Sequence, residues 1–219
     1  MPSELIAEKL DTSFRNSVYD YTRKVIHDFL YDGERIKWSE QDALKWIARR
    51  ARQELDIAEL CESLTKSENL DYELRSYISQ QASHERDHYK LFQELVDKYG
   101  NDENRNLINR LKSPKDVSKE WEDFILKLKS EDPLVALINL EYGHEIFSEA
   151  GLDEMQDMPY KHIAEVLKRV NQDERKHGEM GKIVLKKYLN KADPTDAENV
   201  LNEIKKYETG NGWFFTKWN

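Results

Sequence analysis

The chain has 219 residues, of which 35% are charged and 38% hydrophobic, with a formal net charge of −9. That length suits one domain, and the negative charge argues against nucleic acid as the main partner. A mean hydropathy of −0.87 leaves no run near the roughly 18 apolar residues of a membrane span.

A first helix is expected over 3–30, stopping near Asp32-Gly33, and nothing at its start has the basic and apolar regions of a signal peptide. Ser39-Glu40-Gln41-Asp42 has the form of a capping box and opens a second helix that ends near Leu64. The single cysteine, Cys61, lies in this helix; it excludes internal disulfides and fits a reducing cytoplasm. A third helix is expected from about Ser67 to just before Gly100-Asn101-Asp102. Ser113-Pro114 begins a shorter connecting segment containing Trp121 and Phe124. Ser130, with Pro133 in the first turn, opens a fourth helix ending at Gly151, and Asp157-Met158-Pro159 opens a fifth running to about Leu189. Asp193-Pro194 starts a last helix, followed by the aromatic tail Trp213-Phe214-Phe215-Thr216-Lys217-Trp218, which reads by default as core packing.

Two of these helices carry the spacing Glu-x-x-His, at Glu85–His88 and Glu174–His177. Residues three apart share a helix face, so each pair can present a carboxylate and an imidazole to one metal ion. Both pairs fall on apolar stripes: Ile78, Gln81, Glu85, His88, Phe92, Leu95, Tyr99 in one helix, and Ile163, Leu167, Val170, Glu174, His177, Gly181, Val184 in the other. Each also has an inward Glu upstream, Glu54 on the stripe Ile47, Ala51, Ala58, Cys61, and Glu141 on Leu134, Leu137, Ile138. Four inward carboxylates are costly to bury alone, and two divalent ions would balance them. Glu145, four residues after Glu141, is a further inward carboxylate that could replace it as ligand or stand beside the metal or substrate. His144, which makes a third Glu-x-x-His with Glu141, reads as a residue beside the site or on the surface rather than a ligand.

One Glu from each of two helices plus Glu-x-x-His from each of two others resembles the ferritin-like di-iron carboxylate proteins, over roughly residues 39–190. The resemblance implies an all-α fold, a ferritin-like four-helix bundle with additional N- and C-terminal helices, forming a single domain over 1–219. It implies that Glu54, Glu85 and His88 hold one iron and that Glu141, Glu174 and His177 hold the other, with bridging glutamates between. Asp173 is similar to the aspartate that orients a ligand histidine in the oxygenase branch, while His84 stands in the matching place before Glu85.

The activity so implied is oxygen-dependent oxidation of a small organic substrate by a cytoplasmic di-iron oxidoreductase drawing on an electron donor. Iron, cycling between Fe2+ and Fe3+, is the expected metal, with manganese the alternative; a homodimer is open. A rubrerythrin-like peroxidase is the nearest alternative function, although one cysteine cannot build the paired Cys-x-x-Cys site that rubrerythrins typically add. A ferroxidase or iron-storage protein is another, and a metal-free structural bundle a third.

Overall fold

The computed structural model describes residues 3–33, 35–112 and 118–211, the last five of these by backbone alone. The described residues are almost wholly helical: α1 Ser3–Leu30, α2 Glu40–Leu64, α3 Tyr72–Tyr99, α4 Asp102–Arg110, α5 Lys119–Ser130, α6 Pro133–Leu140, a π-helical turn Glu141–Glu145, α7 Ile146–Met155, α8 Lys161–Leu189 and α9 Pro194–Asn211. A two-residue hairpin, β1 Tyr31–Asp32 with β2 Arg35–Ile36, follows α1, paired antiparallel as Tyr31↔Ile36 and Asp32↔Arg35. Gly33 supplies the left-handed backbone (φ 60°) that this reversal needs. Among the described residues no helix is long and apolar enough to cross a membrane.

The chain divides into two compact units. One comprises residues 38–133 and 160–166. Its frame is the α2–α3 pair, and α2 opens where expected: the Ser39 hydroxyl accepts from the Asp42 N–H while the Asp42 carboxylate accepts from the Ser39 N–H. α3 starts later than Ser67, because Ser67 closes a turn through its carbonyl and hydroxyl and Asp71 provides the cap, accepting from the Leu74 N–H. α3 stops at Gly100, as expected. Short α4 was not foreseen; its signal is Asn101, whose side chain caps the Asn104 N–H. The expected opening of the next segment at Ser113-Pro114 lies outside the described residues, and α5 is capped by Ser118. Trp121 in α5 is buried and donates through Nε1 to Asp56 of α2 at 2.8 Å, and Arg52 pairs with the same carboxylate. Ile47, Ile57, Leu60, Leu74, Ile78 and Phe92 are fully buried between these elements. Each such side chain contributes about 1.5–3 kcal/mol, which offsets the burial of polar groups on the same stripes.

The other unit comprises residues 1–37, 134–159 and 167–219. Its central segment, α6 through the π turn to α7, is buried on nearly every face from Leu134 to Met155. Burial on nearly every side makes this a core segment rather than a surface helix, even though it carries Glu141, His144, Glu145 and Asp153. It continues past the expected stop at Gly151, which is itself buried within α7. α1 packs on α7 and α9 through Ala7, Phe14, Val18, Ile26 and Leu30. Alongside this stripe runs a polar ladder: Arg15 to Glu149, Tyr19 to Asp153, Arg23 and His27 to Glu154. The aromatic tail from Trp213 onward lies outside the described residues.

Candidate metal centre

In the unit built on α2 and α3, Glu54, Glu85 and His88 converge as their helical spacing predicts. All three are buried, and their ligand atoms lie within 4.8 Å of one another. His88 Nδ1 is 3.4 Å from Glu54 Oε2 and 3.4 Å from Glu85 Oε2. The other Glu54 oxygen, Oε1, lies 2.5 Å from Nε of Arg50, one turn earlier on α2 and itself buried. Glu54 is thus divided between a guanidinium and the His88 side. Burial pushes its carboxyl up to about 8; Arg50 opposes that shift and the neighbouring Glu85 adds to it.

The second unit builds a matching trio from Glu145, Glu174 and His177, again buried and within 4.8 Å of one another. His177 Nδ1 is 3.4 Å from Glu145 Oε2 and 3.8 Å from Glu174 Oε2. Here the structure departs from the sequence reading, which put Glu141 in this place. Glu141 is equally buried, but a Cβ on Gly181 would lie 3.2 Å from Glu141 Cβ, so Glu141 packs level with Gly181. That is four residues, about 6 Å along the axis, beyond His177. Running antiparallel, the segment brings Glu145 level with His177 instead.

The π turn is the local cause. The Ile146 N–H bonds to the Glu141 carbonyl five residues back, so this turn holds one residue more than an α-helical turn and sets the rotation at which Glu145 meets α8. Such turns are rare and concentrate at functional sites. His144, within the turn, is fully buried too. Asp173 is partly exposed and accepts from Lys176 at 2.7 Å. His84, before Glu85, is half-buried. Arg50 had escaped the sequence reading; its signal is its place four residues before Glu54, where a cation shares the face of the buried carboxylate.

Bonds of about 2.1 Å put neighbouring ligand atoms roughly 3.0–3.4 Å apart in octahedral or tetrahedral coordination. The 3.4 to 3.8 Å separations in both trios fit that with slight closure. Carboxylate oxygens with one imidazole, and no thiolate, suit iron, manganese or zinc rather than soft ions. Each trio therefore fits a metal ion. The rubrerythrin family model matches residues 64–185, more than half of the chain.

The chain belongs to the rubrerythrin family. That is a ferritin-like di-iron carboxylate family, so the fold class is the all-α ferritin-like four-helix bundle with additional N- and C-terminal helices. The rubrerythrin match contains Glu85, His88, Glu141, Glu145, Glu174 and His177, while Glu54 and Arg50 precede it. No curated protein and no solved structure matches the chain.

Proposed function

We propose that this rubrerythrin-family protein is a cytoplasmic non-heme di-iron oxidoreductase that uses dioxygen to oxidise a small organic substrate. On this reading residues 1–219 act as one ferritin-like domain, in which Glu54, Glu85 and His88 would hold one iron ion and Glu145, Glu174 and His177 the other. The observation that carries it is the duplication itself: Glu54, Glu85, His88 and Glu145, Glu174, His177 are equivalent buried sets of two carboxylates and one Nδ1. Four carboxylates then balance two divalent charges, which accounts for their burial without protonation.

When bound, the iron pair supplies two-electron redox chemistry toward oxygen that no side chain possesses. The residues supply the rest. Both imidazoles must present an unprotonated Nδ1, so each carries its proton on Nε2. Arg50 holds Glu54 Oε1, leaving Oε2 turned to the His88 side. Full burial of both trios excludes water, which strengthens the carboxylate–cation interaction and protects reactive species from solvent.

A rubrerythrin-like peroxidase is the second reading, favoured by the family match. Against it, the chain's lone cysteine, Cys61, is buried and builds no Cys-x-x-Cys iron site, so electrons must come from a substrate or a separate donor. Stopped-flow mixing of the ferrous-loaded protein with oxygen or with hydrogen peroxide separates the two. Faster oxidation by oxygen supports the oxidase reading; rapid reaction with peroxide and sluggish reaction with oxygen replaces it with the peroxidase.

A further inference from the structure

His177 is followed on α8 by two glycines, Gly178 and Gly181, and each is filled by a neighbouring element. A Cβ on Gly178 would lie 2.9 Å from Nη2 of Arg15, and one on Gly181 would lie 3.0 Å from Cε2 of Tyr142. Arg15 reaches from α1 to donate through Nη2 to the Gly178 carbonyl, the backbone oxygen next after His177. The same guanidinium donates through Nε to Asp11 at 3.1 Å and through Nη1 to Glu149 of α7 at 3.3 Å. Asp11 is fully buried and accepts from the Tyr142 hydroxyl at 2.9 Å, with Lys182 of α8 3.4 Å away. Tyr142 belongs to the π turn that carries Glu145 and meets Phe14 of α1 edge-on at 5.2 Å.

One planar guanidinium thus serves three acceptors on α1, α7 and α8, and its Asp11 partner extends the tie to the π turn. We propose that Arg15 is a positioning residue for the metal site: it fixes the α8 backbone beside His177 against the turn bearing Glu145. The inference rests on the metal-binding reading of the Glu145, Glu174, His177 trio. Arginine suits the task because its five donors leave in fixed directions, whereas lysine offers a single point charge. Gly178 is the other half of the device. A methyl group there meets the far end of a flexible side chain, so the relief of the clash is displacement of the guanidinium.

Anaerobic calorimetric titration of the metal-free full-length chain with Fe2+, alongside its melting temperature without metal, tests this. Arg15→Ala should weaken one of the two binding steps by about 10–100-fold, the range for groups that orient metal ligands. Gly178→Ala should do the same by displacing Arg15, and the double variant should bind no more weakly than either single. Arg15→Lys should recover only part of the affinity. Arg23→Ala, which breaks a pair with Glu154 at 2.6 Å on the same ladder, should lower melting and leave both affinities unchanged. Arg15→Ala with two unchanged affinities and only a lowered melting temperature would overturn the inference, as would additive losses in the double variant. Fewer than two ions bound by the unmodified chain would instead contradict the metal-pair reading, and this inference with it.

Discussion

Glu141 and Glu145 show how one residue of register decides which carboxylate meets His177. Both are buried in the same π turn, yet it is Glu145 whose oxygen stands 3.4 Å from His177 Nδ1, while Glu141 packs level with Gly181. Glu145→Ala should therefore cost one metal ion per chain, and Glu141→Ala should keep both, as read by metal analysis after reconstitution. Loss of metal from Glu141→Ala together with two ions in Glu145→Ala would assign the ligand the other way. Sequence spacing narrowed the choice to these two, since an ideal helix places residues four apart on nearly one face. It put Glu141 in the place that Glu145 takes, because the turn's extra residue leaves no mark in the spacing. The Glu-x-x-His pairs on uninterrupted α3 and α8 were legible for the opposite reason: both helices keep the 3.6-residue period through the site.

At the scale of elements, close approach between α8 and the π turn depends on Gly181. A methyl group there would press on Tyr142 Cε2 at 3.0 Å and on Glu141 Cβ at 3.2 Å. Tyr142 is fully buried and tied to Asp11, and a Cβ moves only with its backbone, so neither neighbour can yield cheaply. Gly181→Ala should cost about 1–3 kcal/mol of stability, the usual range for overpacking a filled core. A urea midpoint unchanged from the parent would show that the two segments can part without loss. The start of α2 was legible because Ser39 and Asp42 cap it reciprocally, a pairing that shows in the sequence. The start of α3 was misplaced because a turn-forming serine, Ser67, mimicked a cap, and α4 was missed because nine residues give little periodic signal.

For the molecule as a whole, two compact units each bury a trio of carboxylates and imidazole, and each trio has a stability cost without a cation. The folded Glu54 carboxyl lies near 8, above its ordinary 4.5, because burial disfavours its charged form. The folded state then binds the proton more tightly than the unfolded state, so the metal-free protein loses stability as pH rises from 4.5 toward 8. Lowering the pH across that window should raise its melting temperature, whereas the metal-loaded form, whose ligands must stay deprotonated, should gain nothing. A metal-free form equally stable at both ends would show that Glu54 is not held as described. The central claim is that two equivalent trios hold two ions. Its most direct test is metal content after anaerobic loading with Fe2+ and removal of excess. The account predicts two ions per chain, reduced in His88→Ala and in His177→Ala; two ions retained in the double histidine variant, or fewer than two in the parent, would contradict it.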